Sequence, residues 1–118
     1  MQELIEIKPW GKFEILSEGE NYKVKKITVS PGQRLSYQLH KKRTENWTIV
    51  EGNGIFTLND KEFKVAKGNI TIIHPGEKHR IQNTGKMKDL VFIEVQYGKY
   101  TGEDDIIRFE DDYGRESN

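Results

Sequence analysis

No cysteine occurs anywhere in the 118-residue chain. That excludes disulfides, thiolate nucleophiles and zinc ribbons. Net charge is missing too, because 19 basic and 19 acidic residues cancel. Neither a nucleic-acid partner nor a membrane surface recruited by net charge is therefore indicated. No segment approaches the ~20 apolar residues of a membrane span. The start, MQELIEIKPWG, holds no apolar run of signal-peptide length. A soluble cytoplasmic protein is the expectation. Hydrophobic residues make up only 34% of the chain. One domain over 1–118 with a modest core follows, and a second copy would help to bury surface.

Helical patterning is equally scarce, with a single short candidate around 103–110. What the chain does contain is a series of short alternating segments cut by turn residues. KFEILS (12–17), YKVKKITVS (22–30), IFTLN (55–59), EFKVA (62–66), ITIIH (70–74) and KDLVFIEVQY (88–97) all read as strands. Gly52-Asn53-Gly54 is a tight-turn signal. An all-β sandwich or barrel over 12–98 is expected, with a tail at 99–118. Trp10, beside Pro9 and Gly11, reads as a packing anchor.

The three histidines, His40, His74 and His79, all fall in or beside two stretches, GQRLSYQLHKKRTENWTIVEG (32–52) and GNITIIHPGEKHRIQN (68–83). Successive strand side chains point to opposite faces. Over 33–40 this puts Arg34, Ser36, Gln38 and His40 on one face and Leu35, Tyr37 and Leu39 on the other. After the link 41–44, Glu45 opens the next strand with Trp47 and Ile49 on its face. His79 opens a distant one after a Pro-Gly turn. Imidazole nitrogens, a carboxylate and an amide oxygen suit one divalent ion. Zinc is placed first; manganese, iron(II), cobalt and nickel also fit.

The first stretch resembles the cupin pattern, with Gly32, Gln38, His40, Glu45 and Gly52 in place and Gln38 where the first histidine usually stands. The second matches through Gly68, Gly76, His79 and Asn83, with His74 in the proline place and Pro75 one residue later. KPWGKFEIL, VKKITVSPGQRLSYQLHKKRTENW and EVQYGKYTGEDDIIRFEDDYGR look like the type II phosphomannose isomerase domain over roughly 8–115. In that family the domain usually forms the C-terminal part of mannose-1-phosphate guanylyltransferase/mannose-6-phosphate isomerase. A Gln-x-His pair is a feature of phosphomannose isomerases, so Gln38 supports this branch. The family commonly reads HHHRxEHW here, so Lys42 and Asn46 replace two histidines, a change expected to bear on pocket polarity.

The resemblance implies a cupin double-stranded β-helix, a jelly-roll barrel with a short irregular or helical C-terminal tail. It implies a metal held by Gln38, His40, Glu45 and His79. It also implies a stand-alone isomerase interconverting mannose 6-phosphate and fructose 6-phosphate. Such a proton shift needs a Lewis acid, a base and a cationic grip on phosphate. Glu94, alternating with Gln96 on the longest strand, is the candidate base, and His74 a weaker one. Lys42, Arg43 and Arg108 are the candidate phosphate contacts, the first two also catalytic. Lys42 enters the cavity if the strand of His40 continues that far. Ser36 and Gln96 complete the candidate substrate contacts. Leu35, Tyr37 and Leu39, pointing outward, would be covered by the 103–115 tail or by a second subunit, and a homodimer is expected. Two other readings compete: a non-catalytic sugar-phosphate or nucleotide-sugar binding module partnering a guanylyltransferase, and another metal cupin enzyme such as an iron dioxygenase.

Overall fold

Residues 5–116 are described by a computed structural model. The termini of the expected domain, 1–4 and 117–118, lie outside the described residues. Eleven strands are present among the described residues: β1 (Ile5–Lys8), β2 (Gly11–Glu18), β3 (Tyr22–Val29), β4 (Tyr37–Leu39), β5 (Arg43–Glu51), β6 (Asn53–Leu58), β7 (Lys61–Ala66), β8 (Ile70–Ile73), β9 (His79–Asn83), β10 (Leu90–Gly98) and β11 (Ile107–Glu110). They form a six-stranded sheet, β1-β2-β3-β10-β5-β8, and a five-stranded sheet, β11-β4-β9-β6-β7.

The two sheets close on an apolar core. Trp47 of β5 stacks on Phe92 of β10 with ring centroids 4.3 Å apart and meets Phe56 of the opposite sheet edge-on at 5.5 Å. Trp10 is buried in the same cluster, the anchoring role expected of it. The inner face of the larger sheet changes character along its strands. One row across neighbouring strands holds Ile49, Phe92, Ile27 and Phe13; the next holds Trp47, Glu94 and Lys25; the third holds Glu45, Gln96 and Lys23. The apolar row seals one end of the barrel, and the polar rows line the other.

The tail departs from expectation. Residues 103–104 form a turn, and Ile107–Glu110 is a strand paired with β4 rather than a helix. Four alternating residues beside an unpaired edge gain ladder hydrogen bonds that a single isolated helical turn lacks. β1, outside the segments whose alternation reads as strand, adds a strand against β2.

The alternation at 33–40 also breaks. Only Tyr37–Leu39 are strand, with Arg34 in an isolated bridge to Gln82. Leu35 turns into the core instead of outward, and Arg34 points out to pair with Asp112 at 2.8 Å. Tyr37 does face the outside of the barrel, where β11 covers it: its ring lies 6.4 Å from that of Phe109, and its hydroxyl donates to Asp60. That cover comes from the tail, so this surface no longer calls for a second subunit.

Candidate metal centre

The ligand-bearing stretches meet because β4 and β9 are neighbours, with Gln38 directly opposite His79. The turn between β8 and β9 is tied back by Gly76, whose N–H donates to the His40 carbonyl at 2.8 Å. Gly76 has φ +84°, a left-handed conformation that glycine adopts without a Cβ clash. β5 begins at Arg43, so Arg43, Glu45 and Trp47 share the inner face.

His40, Glu45 and His79 are all buried, and one ligand atom from each lies within 4.8 Å of the others. Each histidine uses Nδ1 on a backbone carbonyl: His40 on Asp105 at 2.7 Å and His79 on Glu77 at 2.9 Å. A donating Nδ1–H leaves Nε2 as a lone pair, the arrangement found in metal-ligating histidines. Nε2 of His40 faces Glu45 Oε2 at 3.3 Å. Nε2 of His79 is buried with no hydrogen-bond partner. A buried acceptor left unsatisfied is costly in an interior but suits a metal ligand. Gln38 is buried in the same cavity, its amide nitrogen 3.4 Å from the Ser36 carbonyl. The donor set thus fits a divalent ion.

Electrostatics agree. Burial lowers the pKa of both imidazoles, that of His79 to about 4, so both are neutral ligands at pH 7. Burial works to raise the Glu45 carboxyl, but His40, Arg43 and His79 together pull it down to about 2. With the imidazoles uncharged at neutral pH, Arg43 is the partner that keeps Glu45 ionised. Its Nε donates to Glu45 Oε2 at 2.7 Å, and Trp47 Nε1 donates to Oε1 at 3.0 Å.

The same cavity, about 170 Å³, brings together Ser36, Arg43, Glu94, Gln96 and Arg108 with the four candidate ligands. Glu94 is buried between the larger sheet's apolar and polar rows, and its pKa is pushed up to about 8, first by burial and then by the charge of Glu45. Gln96 donates to Glu94, and its own Oε1 is buried without a partner.

Lys42 and His74 do not join this group. β4 ends at Leu39, so the alternation that aimed Lys42 inward stops; Lys42 is exposed, 5.1 Å above the Tyr100 ring. His74 is exposed and held by Glu77 at 3.1 Å. Asn46 alternates with the inward-facing Glu45 and Trp47 and does not line the cavity. Neither replacement in the histidine-rich motif therefore alters the cavity's polarity.

Several inward-facing charged residues were missed, of which Lys25 and Glu103 line the cavity. Lys25 and Lys23 are buried on the inner face of β3, and Glu103 bonds both, at 2.6 and 3.3 Å. The signal was present: Lys23, Lys25, Ile27 and Val29 share one face by strict alternation, so two lysines had to accompany two core residues inward. Arg115 also lines the cavity, held by Asp111 at 2.8 Å.

The profile of a family described as "Mannose-6-phosphate isomerase C-terminal" matches residues 3–111. The chain is 45% identical over 108 residues to the xanthan biosynthesis protein XanB of Xanthomonas campestris pv. campestris, covering 92% of this chain and 23% of that protein. It is 47% identical over 109 residues to the mannose-1-phosphate guanylyltransferase ManC of Salmonella typhimurium, covering 92% and 22%. The chain thus spans less than a quarter of the length of these relatives. Among solved structures, a double-stranded β-helix protein from Klebsiella pneumoniae superposes with TM-score 0.72 at 22% identity, covering 82% of each chain. At that identity the likeness speaks for the fold, which is the cupin double-stranded β-helix.

Proposed function

Because the chain belongs to the mannose-6-phosphate isomerase C-terminal family, we propose that it is a metal-dependent isomerase interconverting mannose 6-phosphate and fructose 6-phosphate. One observation carries this reading. Glu94, a carboxyl with a pKa near 8, lines the same cavity as His40, Glu45 and His79. An aldose–ketose isomerisation needs a group that both takes and returns a proton near neutral pH, and a carboxyl raised to that range does so.

A divalent ion, zinc in our reading, would be held by Gln38, His40, Glu45 and His79 and would supply Lewis-acid polarisation of the sugar carbonyl. Glu94 in its ionised form takes the proton from the carbon beside the carbonyl and returns it to the adjacent carbon. Gln96 fixes Glu94 by donating to it, and its free Oε1 accepts from a sugar hydroxyl. Arg43 keeps Glu45 anionic. Ser36 and Arg108 bind substrate, and the cationic lining selects a phosphorylated sugar. Catalysis proceeds in the cytoplasm, where sugar phosphates are found. A homodimer is our proposal for the assembly. It is supported by Ile70 and Ile72, 65% and 48% exposed on edge strand β8. A monomeric mass at micromolar concentration refutes it.

A coupled assay on mannose 6-phosphate with metal-replete protein tests the reaction. No turnover, with no effect of a chelator, overturns it. A second reading has its own support: the relatives named mannose-1-phosphate guanylyltransferase are more than four times the length of the matched segment. On that reading the domain binds a sugar phosphate for a guanylyltransferase partner. Tight sugar-phosphate binding without turnover favours it.

A further inference from the structure

Five cationic side chains line the cavity against three carboxyl groups among the described residues. One of the three, Glu94, is held protonated by burial at neutral pH. Two of the five cations, Lys8 and Arg115, are answered by carboxylates outside the lining, Glu6 and Asp111. The cations differ in how they are held. Arg43 is committed to buried Glu45, and Arg115 has both its Nε and an Nη on Asp111, whose carboxylate is buried. Lys25 is different. Its side chain is buried, 5% exposed, yet its carboxylate partner among the described residues, Glu103 at 2.6 Å, has a side chain 49% exposed. Glu103 sits on a turn, residues 103–104, and lines the cavity.

The segment carrying Glu103 is fastened on both sides. The Thr101 carbonyl accepts from Lys23 at 2.8 Å, and the Gly102 carbonyl accepts from Arg43 at 3.1 Å. The Asp105 carboxylate accepts from the backbone N–H groups of Lys41 and Lys42, each at 2.9 Å. The backbone is anchored, and the half-exposed Glu103 side chain reaches inward to accept from both Lys25 and Lys23. A buried ammonium does not tolerate losing its counter-ion without a replacement. Release of Glu103 therefore requires another anion at Lys25. The cavity, about 170 Å³, is also below the ~300–1,000 Å³ of ligand pockets. Swinging Glu103 outward would enlarge it at the Lys25 end.

We propose that the Lys25 ammonium is a subsite for a phosphomonoester dianion, and that Glu103 is a built-in carboxylate holding the subsite until the ligand's phosphate replaces it. The phosphate end then lies on β3, two strands across the sheet and two residues along it from Glu45 on β5, ~12 Å at ~4.8 Å per strand and ~3.4 Å per residue. Neutral Glu94, on the strand between, leaves the path free of repulsion. This assignment rests on the sugar-phosphate reading of the site, but it concerns anion binding alone.

Calorimetric titration of the intact chain with inorganic phosphate tests it. Glu103→Gln removes the competing carboxylate and is expected to tighten phosphate about tenfold, the worth of one charged contact. Lys25→Met is expected to abolish the tightening and weaken binding below that of the unaltered chain. Asp104→Asn makes the same charge change one residue away and should leave affinity within twofold. Equal tightening in Asp104→Asn would show a general field effect and overturn the subsite. So would phosphate affinity that ignores both Lys25 and Glu103, as expected for phosphate held only at a metal. Thermal unfolding of each variant confirms its fold, and Glu103→Gln, at a half-exposed position, decides the matter if Lys25→Met unfolds. The predicted phosphate pattern without turnover of mannose 6-phosphate would retain the subsite and discard the isomerase. Turnover with phosphate indifferent to Glu103 and Lys25 would do the reverse.

Discussion

Nδ1 of His40 donates to the carbonyl oxygen of Asp105 across 2.7 Å, joining a candidate metal ligand to a residue 65 positions later. The tail is thus a working part of the centre, because it sets which nitrogen of His40 faces the other ligands. Outer partners of this kind typically govern 10–100-fold of metal affinity. Asp105→Ala removes the two bonds that hold this backbone to Lys41 and Lys42. Zinc affinity, measured by competition with a chromophoric chelator, should fall about tenfold with the fold intact. Unchanged affinity would mean the carbonyl stays in place without its carboxylate ties.

The ligand assignment predicts that His40→Ala and His79→Ala each lose metal through purification. Elemental analysis by mass spectrometry reads this directly. Full occupancy in both variants would remove the four-ligand centre. In the metal-free chain, replacing His79 removes the orphaned Nε2 but forfeits the Nδ1 bond to the Glu77 carbonyl.

Arg43 and Lys42 are neighbours in sequence with opposite fates. Arg43→Ala strands the buried Glu45 charge and should cost about 3–5 kcal/mol of stability in chelator-treated protein. Added zinc should restore part of this, because the carboxylate regains a cation. Lys42→Ala, at an exposed position, should change stability by no more than about 0.5 kcal/mol and leave metal affinity alone. Urea unfolding with and without zinc distinguishes the two. Similar losses for both would contradict the burial of one and the exposure of the other.

Glu94 predicts a pH signature. Its pKa rises from an ordinary carboxyl value to about 8 on folding, first because of burial. Above the unfolded pKa the unfolded chain has released this proton and the folded chain has kept it. The folded state binds more protons, so stability declines as pH rises from roughly 4.5 toward 8 and levels off beyond. Each pKa unit is worth about 1.4 kcal/mol, so the decline is a few kcal/mol. Glu94→Gln should flatten that limb in chelator-treated protein, gaining most at pH 8–9. In the metal-replete chain the same variant should lower turnover of mannose 6-phosphate by about 10²–10⁴-fold. A variant with full turnover would exclude Glu94 as the proton carrier.

Much of this was legible in local pattern. Period-two alternation located most of the strands, and the spacing of Gln38 and His40 aimed both side chains the same way; both line the cavity, although His40 lies just past the end of β4. The alternation of Glu94 with Gln96 carried both inward on β10. Local pattern failed where the backbone left its period. An irregular stretch at 34–36 sent Leu35 inward and Arg34 outward, and the end of β4 at Leu39 turned Lys42 away. Both depend on pairing with distant strands, which no window of residues reports.

By itself the chain's sequence determined the all-β class, the residue types of the candidate ligands at 38, 40, 45 and 79, and the family to which the domain belongs. Each depends on residue type and spacing, which are written in one dimension. Only the tertiary structure decided that β11 closes on β4, that His79 carries an unpartnered nitrogen, and that Lys25 meets Glu103 across 78 positions. Burial is what separates the two sets. It raises the pKa of the Glu94 carboxyl and sets the Lys25 ammonium against Glu103 away from water, and burial is a property of the packed barrel rather than of any stretch within it.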